Sequence, residues 1–157
     1  LNYIRWVMEN NTRPIHWLGI CNPNLVRYYQ PYSCDSSSWE AGGRYGVVTV
    51  YMGQGQFRPF TRKMAGVGPP STEMWRTLES YGIDPYELRH EVNWRGGRDN
   101  LARRLGGQSW LRYAEEAERT TGTLVFLVAT ISPSFGALLD ARRYNEQYAY
   151  QPVPLSR

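Results

Sequence analysis

Two kinds of pattern alternate over the first 36 residues, and this alternation limits the fold more than any other feature of the chain. "LNYIRWVMEN" opens in helical periodicity, with Ile4, Val7 and Met8 on one face. Pro14 marks the end of that helix near Asn10 or Asn11. "IHWLGI" (15–20) is short, β-branched and apolar, and "CNPN" stops it, so it reads as a buried strand. "PNLVRYYQ" is a short helix with Pro23 in its first turn and Asn22 or Asn24 as its cap. "PYSCDS" is a second short strand leading to Asp35. Helix, strand, helix, strand on short links is the grammar of a parallel α/β sheet, which predicts 15–20 and 32–36 as adjacent parallel strands.

The grammar then changes. "RYGVVTVYM" (44–52) alternates and is β-rich, and "GQGQ" turns it into "FRPF", which predicts a hairpin. "KMAGVGPPS" reads as a flexible loop, with Ser71 or Thr72 capping a helix over "TEMWRTLESYG". Residues 82–108 mix short helices with paired glycines and many arginines. "SWLRYAEEAERTTG" is a helix capped by Ser109 and closed by Gly122. "TLVFLVATI" is a continuous apolar strand, expected to be fully buried. Ser132 caps a last helix with Pro133 at its first position, and "YAYQPVPLSR" is a tail. The expected organisation is 1–43, helix–strand units; 44–70, a hairpin extension and loop; and 71–157, a helical region with one buried strand.

Several functional classes fall away. "GGRYG" and "GQGQ" lack the spacing of a phosphate-binding loop, and "SCDSSS" has no nucleophile-elbow frame for Ser-His-Asp catalysis. Cys21, Cys34, His16 and His90 match no metal-site pattern, so no metal and no cofactor are expected, and the two cysteines read as free buried thiols in a reducing cytoplasm. His16, inside an apolar strand, reads as a satisfied core histidine. No apolar run approaches the roughly 18 residues of a membrane span, and no leader is visible, so the expected localisation is cytoplasmic, away from membranes.

What the chain offers a partner is arginine and aromatic surface. Its net charge of +4 rests on 17 Arg and one Lys, and Arg presents a planar fork suited to phosphate. Six Trp and twelve Tyr favour half-wet surfaces such as binding clefts. Arg95, Arg98, Arg103 and Arg104 form the strongest basic cluster, read either as a phosphate-contacting patch or as a solvated helix face. Asp35 is distinguished by position. An Asp among serines ordinarily caps a turn, but this one ends a strand of a parallel unit, and ligands gather at the carboxyl ends of such strands.

"HWLGICNPNLVRYY…YSCDSSSWEAGGRYG" resembles the last two barrel strands of the tRNA-guanine transglycosylase superfamily. Leu18-Gly19-Ile20 matches the family's glycine-containing strand, Pro23 the helix start and Asp35 the nucleophile. The "DSSSW" form looks closest to the phage and bacterial branch that inserts 7-deazaguanines into DNA. The resemblance covers about residues 13–60. It implies an α/β fold, the C-terminal portion of a TIM-barrel-like (β/α) fold followed by a β-hairpin and an α-helical extension. It departs at "SSW", where the family has "PTR", and in lacking the zinc cysteines of the tRNA enzymes. The family's general-base Asp and its base-recognition residues lie on earlier strands, none of which is in these 157 residues. A complete barrel needs roughly 200 residues or more.

The implied chemistry is exchange of guanine for a 7-deazaguanine base in DNA or tRNA. Breaking the bond at C1′ passes through an oxocarbenium-like state, which a carboxylate both stabilises and captures. The resemblance makes Asp35 the nucleophile, with Ser36 to Ser38 able to hold its carboxylate and Arg44 the adjacent phosphate. Trp17, Leu18 or Trp39 would give the displaced base an apolar surface, and Gly19 would line the site. Such an enzyme expects a protein partner or missing segment supplying the first strands. The alternative is a non-catalytic nucleic-acid-binding or assembly module derived from the same fold. An ADP-ribosyl-transferring effector is a third class, but its constellation of Arg, Ser and Glu is not visible.

Overall fold

The computed structural model of the chain describes residues 2–67, 71–95, 100–130 and 132–148. Helix α1 (Asn2–Glu9) leads to strand β1 (His16–Trp17), helix α2 (Pro23–Tyr29) and strand β2 (Ser33–Ser36). A 3-10 turn (Ser38–Glu40) and the short helix α3 (Ala41–Tyr45) follow. Then come strands β3 (Val47–Gly53) and β4 (Gln56–Thr61) and helices α4 (Arg62–Val67) and α5 (Thr72–Ser80). Two further 3-10 turns precede α6 (Leu101–Thr121), β5 (Leu124–Leu127) and α7 (Ser132–Gln147).

β1 and β2 are parallel neighbours, with His16 opposite Ser33 and Trp17 opposite Cys34, as the alternating grammar predicts. Between them, α2 starts where expected: the Asn22 side chain accepts from the backbone N–H groups of Asn24 and Leu25, and Pro23 needs no partner at the first turn. β5 adds to the far side of β2, also parallel, giving the order β1-β2-β5. β3 and β4 form the predicted antiparallel hairpin around Gln54-Gly55. The fold is therefore mixed α/β with a small parallel sheet and a hairpin, and among the described residues no barrel closes.

Several boundaries differ from expectation. The strand expected over 15–20 shrinks to two paired residues, because Gly19 turns at φ +68° and leaves Leu18 and Ile20 exposed. "KMAGV" is helical in α4, not loop. The long helix α6 starts at Leu101 under an Asn100 cap, so Ser109 lies within it, fully buried. The paired glycines there serve close packing. A Cβ on Gly106 would lie 2.2 Å from the Trp39 carbonyl oxygen, and one on Gly107 would lie 3.0 Å from Ala141 Cβ. The Gly122 cap holds, in the left-handed conformation. Among the described residues β5 is an edge strand with Phe126 more than half exposed, not a fully buried one.

α6 is the spine between two apolar clusters. Leu105 joins Val48, Val50 and Phe60 of the hairpin with Leu78 of α5. Trp110, Tyr113 and Ala117 join Trp17, Val26 and Cys34 from the parallel unit and Trp39 from the turn after it. Full burial of each large side chain contributes roughly 1.5–3 kcal/mol. The second cluster covers one face of the sheet and leaves the other open.

Candidate active site

Alternation along a strand sends successive side chains to opposite faces. Trp17, Cys34, Val125 and Leu127 therefore share the covered face and pack in the core. His16, Ser33, Asp35 and Phe126 share the other, where register places Ser33 beside His16 and Asp35 beside Phe126. The Asp35 side chain is 16% exposed and that of His16 is 42% exposed. Phe126, with its ring centroid 6.3 Å from that of His16, flanks them.

Asp35 is held from two sides. Gly19 N–H donates to Oδ1 at 2.9 Å, and His16 Nε2 lies 3.1 Å from the same oxygen. The glycine is required for this grip, because the backbone at positive φ turns its N–H toward β2. The His16 ring is itself anchored by Nδ1, 2.9 Å from the buried Ser33 hydroxyl. Among the described residues, Oδ2 of Asp35 has no hydrogen-bond partner. The arrangement is one fixed carboxylate oxygen and one available one, near the carboxyl ends of parallel strands.

A second carboxylate lies beyond the same strand ends. Glu40 is 1% exposed and accepts from the Thr130 hydroxyl at 2.8 Å, from Thr130 N–H at 3.4 Å and from Arg44. Burial pushes its carboxyl up, but the hydrogen bonds from Thr130 and the Arg44 charge help to outweigh this and hold it below the usual range. Arg44 bridges Glu40 and the Thr130 hydroxyl, tying the segment after β2 to the segment after β5.

The residues expected around the substrate separate accordingly. Gly19 meets Asp35 directly, and Leu18 stands 81% exposed beside it. Trp17 and Trp39 do not offer a stacking surface. Trp17 packs edge-on against Tyr29, and Trp39 is fully buried with its indole N–H donating to Val128 O. Ser36 falls on the face opposite Asp35, and its hydroxyl accepts Ser38 N–H, so it does not hold the nucleophile candidate. Arg44 is half-exposed but engaged with Glu40 and Thr130. The arginine cluster is not one solvent-facing patch. Arg103 is buried, Arg104 stacks on Tyr144 at 4.0 Å, and Arg95 pairs with Glu91 at 2.8 Å. Arg98 lies outside the described residues.

Sequence reasoning missed His16 and Glu40. His16 is no core histidine; it alternates with Trp17, so pairing of the two strands puts it on Asp35's face. Glu40 carries an i,i+4 spacing to Arg44, a pattern that marks a helical ion pair but not its burial. Among the described residues no group of three His, Cys, Asp or Glu side chains is placed to hold a metal ion, and no helix is long and apolar enough to cross a membrane. No protein-family model, curated protein or solved structure matches this chain.

Proposed function

We propose that this chain is the carboxy-terminal part of a nucleic-acid guanine transglycosylase, in which Asp35 is the nucleophile that exchanges guanine for a 7-deazaguanine base in DNA or tRNA. The observation that supports this most is the carboxylate held through Oδ1 by Gly19 N–H and His16, with Oδ2 available on the open face of a parallel sheet. Fixing one oxygen orients the other, and an oriented nucleophile avoids part of the entropic barrier. Oδ2 attacks C1′ and the C1′–N9 bond breaks. The bond pair leaves with guanine, which takes up a proton. The incoming base loses a proton, attacks C1′ and returns Asp35 as carboxylate. His16 positions the carboxylate, and Phe126 and Leu18 offer apolar surface to the displaced base.

The second reading, a non-catalytic nucleic-acid-binding or assembly module, is favoured by one observation. β5 occupies the edge of β2 on which a further barrel strand would pair. One experiment separates the two. The chain, co-expressed with the segment encoded upstream, is incubated with a guanine-containing oligonucleotide and labelled guanine, then resolved under denaturing conditions. The enzyme forms a protein–nucleic-acid adduct that competing 7-deazaguanine dissolves. Asp35→Asn abolishes adduct and exchange while binding stays near wild type. Exchange that persists in Asp35→Asn removes Asp35 from the mechanism. Binding without exchange in the wild-type assembly selects the module.

A further inference from the structure

The covered face of β2 holds a feature that the proposed chemistry does not use. Cys34 directly precedes Asp35, and Cys21 follows the Leu18–Gly19–Ile20 turn that grips Asp35's carboxylate. The two sulfurs are 2.9 Å apart, both thiols are free, and both side chains are buried in the cluster beneath the sheet. Apolar side chains in contact approach to about 4 Å, so this pair is closer than core packing alone brings two groups. A disulfide needs about 2.05 Å between sulfurs, so less than 1 Å of closure separates the pair from a bond.

We infer that Cys21 and Cys34 form a reversible disulfide, a redox-sensitive clasp that fastens the Gly19 turn to the strand carrying Asp35. The oxidant class is a peroxide, small enough to reach Cys21 at 8% exposure. One thiol gives up its proton and the thiolate attacks a peroxide oxygen, breaking the O–O bond to give a sulfenic acid and, from hydrogen peroxide, a hydroxide that takes up that proton as water. The other thiol then displaces hydroxide from that sulfur and gives up its proton, forming the S–S bond and a second water. Two electrons pass from the two sulfurs to the peroxide, and a dithiol reductant returns them. The geometry favours the intramolecular step, since the second sulfur already lies at hydrogen-bond distance. That hydrogen bond holds the Cys34 thiol below its ordinary value. It pushes Cys21 up, as do burial and the Asp35 charge.

The test uses the intact chain, fully reduced, treated with hydrogen peroxide and quenched with an alkylating agent. The expected product is a monomer 2 Da lighter that takes up no alkyl group and regains both thiols with dithiothreitol. Trypsin cuts after Arg27, between the cysteines, so digestion without reductant yields one cross-linked peptide pair. Cys21→Ser and Cys34→Ser each abolish the mass loss. Amide exchange over residues 18–21 slows in the oxidised chain. Two alkylatable thiols after a treatment that oxidises the guanidinium-denatured chain would overturn the inference. So would intermolecular disulfides in place of the internal one, or unchanged exchange at the Gly19 turn.

Discussion

Replacing Gly106 by Ala tests the packing that places the second carboxylate. In most helix interiors this substitution stabilises by roughly 1 kcal/mol, because alanine loses less backbone freedom on folding. In α6 the new Cβ would sit 2.2 Å from the Trp39 carbonyl oxygen and 3.5 Å from Val48 Cγ2, against a limit near 3.0 Å that real Cβ contacts essentially never cross. The neighbour is backbone, in the turn that carries Glu40. The Trp39 indole is fully buried and bonded to Val128 O, so the turn has little room to retreat. Overpacking of this kind costs about 1–3 kcal/mol, and here the upper part of that range applies. The net expectation is a loss of about 1–2 kcal/mol, or roughly 2–8 °C in Tm for a chain of this size. Gly66→Ala in α4 is the control. Nothing lies within 4 Å of its Cβ, so it should gain about 0.4–1 kcal/mol. Urea and thermal unfolding of both variants, followed by circular dichroism, give the comparison. A Gly106→Ala chain as stable as Gly66→Ala would refute the close approach of α6 to the Trp39 turn.

Glu40's carboxyl is held below its unfolded value of about 4.3, so its stabilisation is complete above that pH and is lost as pH falls toward the lower folded-state value. Glu40→Gln should cost about 1.5–3 kcal/mol at pH 7 and flatten this part of the acid limb, measured by urea unfolding across pH. If the chain binds nucleic acid through its arginines, Arg95→Ala should lower the salt slope of binding by about one, read by fluorescence anisotropy. Arg103→Ala should reduce stability, since that side chain is buried. An unchanged slope in Arg95→Ala returns that residue to its ion pair with Glu91.

The parallel β1–α2–β2 unit was legible because it is local. Pro23, the Asn22 cap and two apolar runs fix short elements on short links, and chain order then makes their pairing parallel. The hairpin was legible for the same reason. α6 was misread because "LGGQS" carries two glycines, which read as breakers when their neighbours are unknown. Trp39 and Ala141, the groups those glycines accommodate, are more than 30 residues away along the chain. Trp17 and Trp39 looked like cleft residues by type, but burial depends on which face of the sheet α6 covers, and no local pattern reports that. Asp35 could be located by its place at a strand end. Its grip by Gly19 and His16 required knowing that β1 stops at Trp17 and turns.

Strand order constrains how such a site could be completed. In a closed barrel every strand pairs on both edges, so no edge remains for a partner. Here β2 is paired on both sides, with β1 and with β5 from Ser33↔Leu124 to Ser36↔Leu127. The Thr123 hydroxyl donates to Pro31 O at 2.8 Å, securing the start of β5 beside β2. A partner supplying further strands would therefore have to displace β5 or join at the outer edges of β1 and β5. β1 offers only His16 and Trp17, a weak template for strand addition. The open face offers more, because Phe126, Leu18 and the His16 ring are apolar or aromatic surface around a largely buried carboxylate. A partner packing there would exclude water from Asp35 and strengthen its interaction with a developing positive charge at C1′. On the proposed function, completion of the site by packing onto that face demands less of this chain than closure of a barrel.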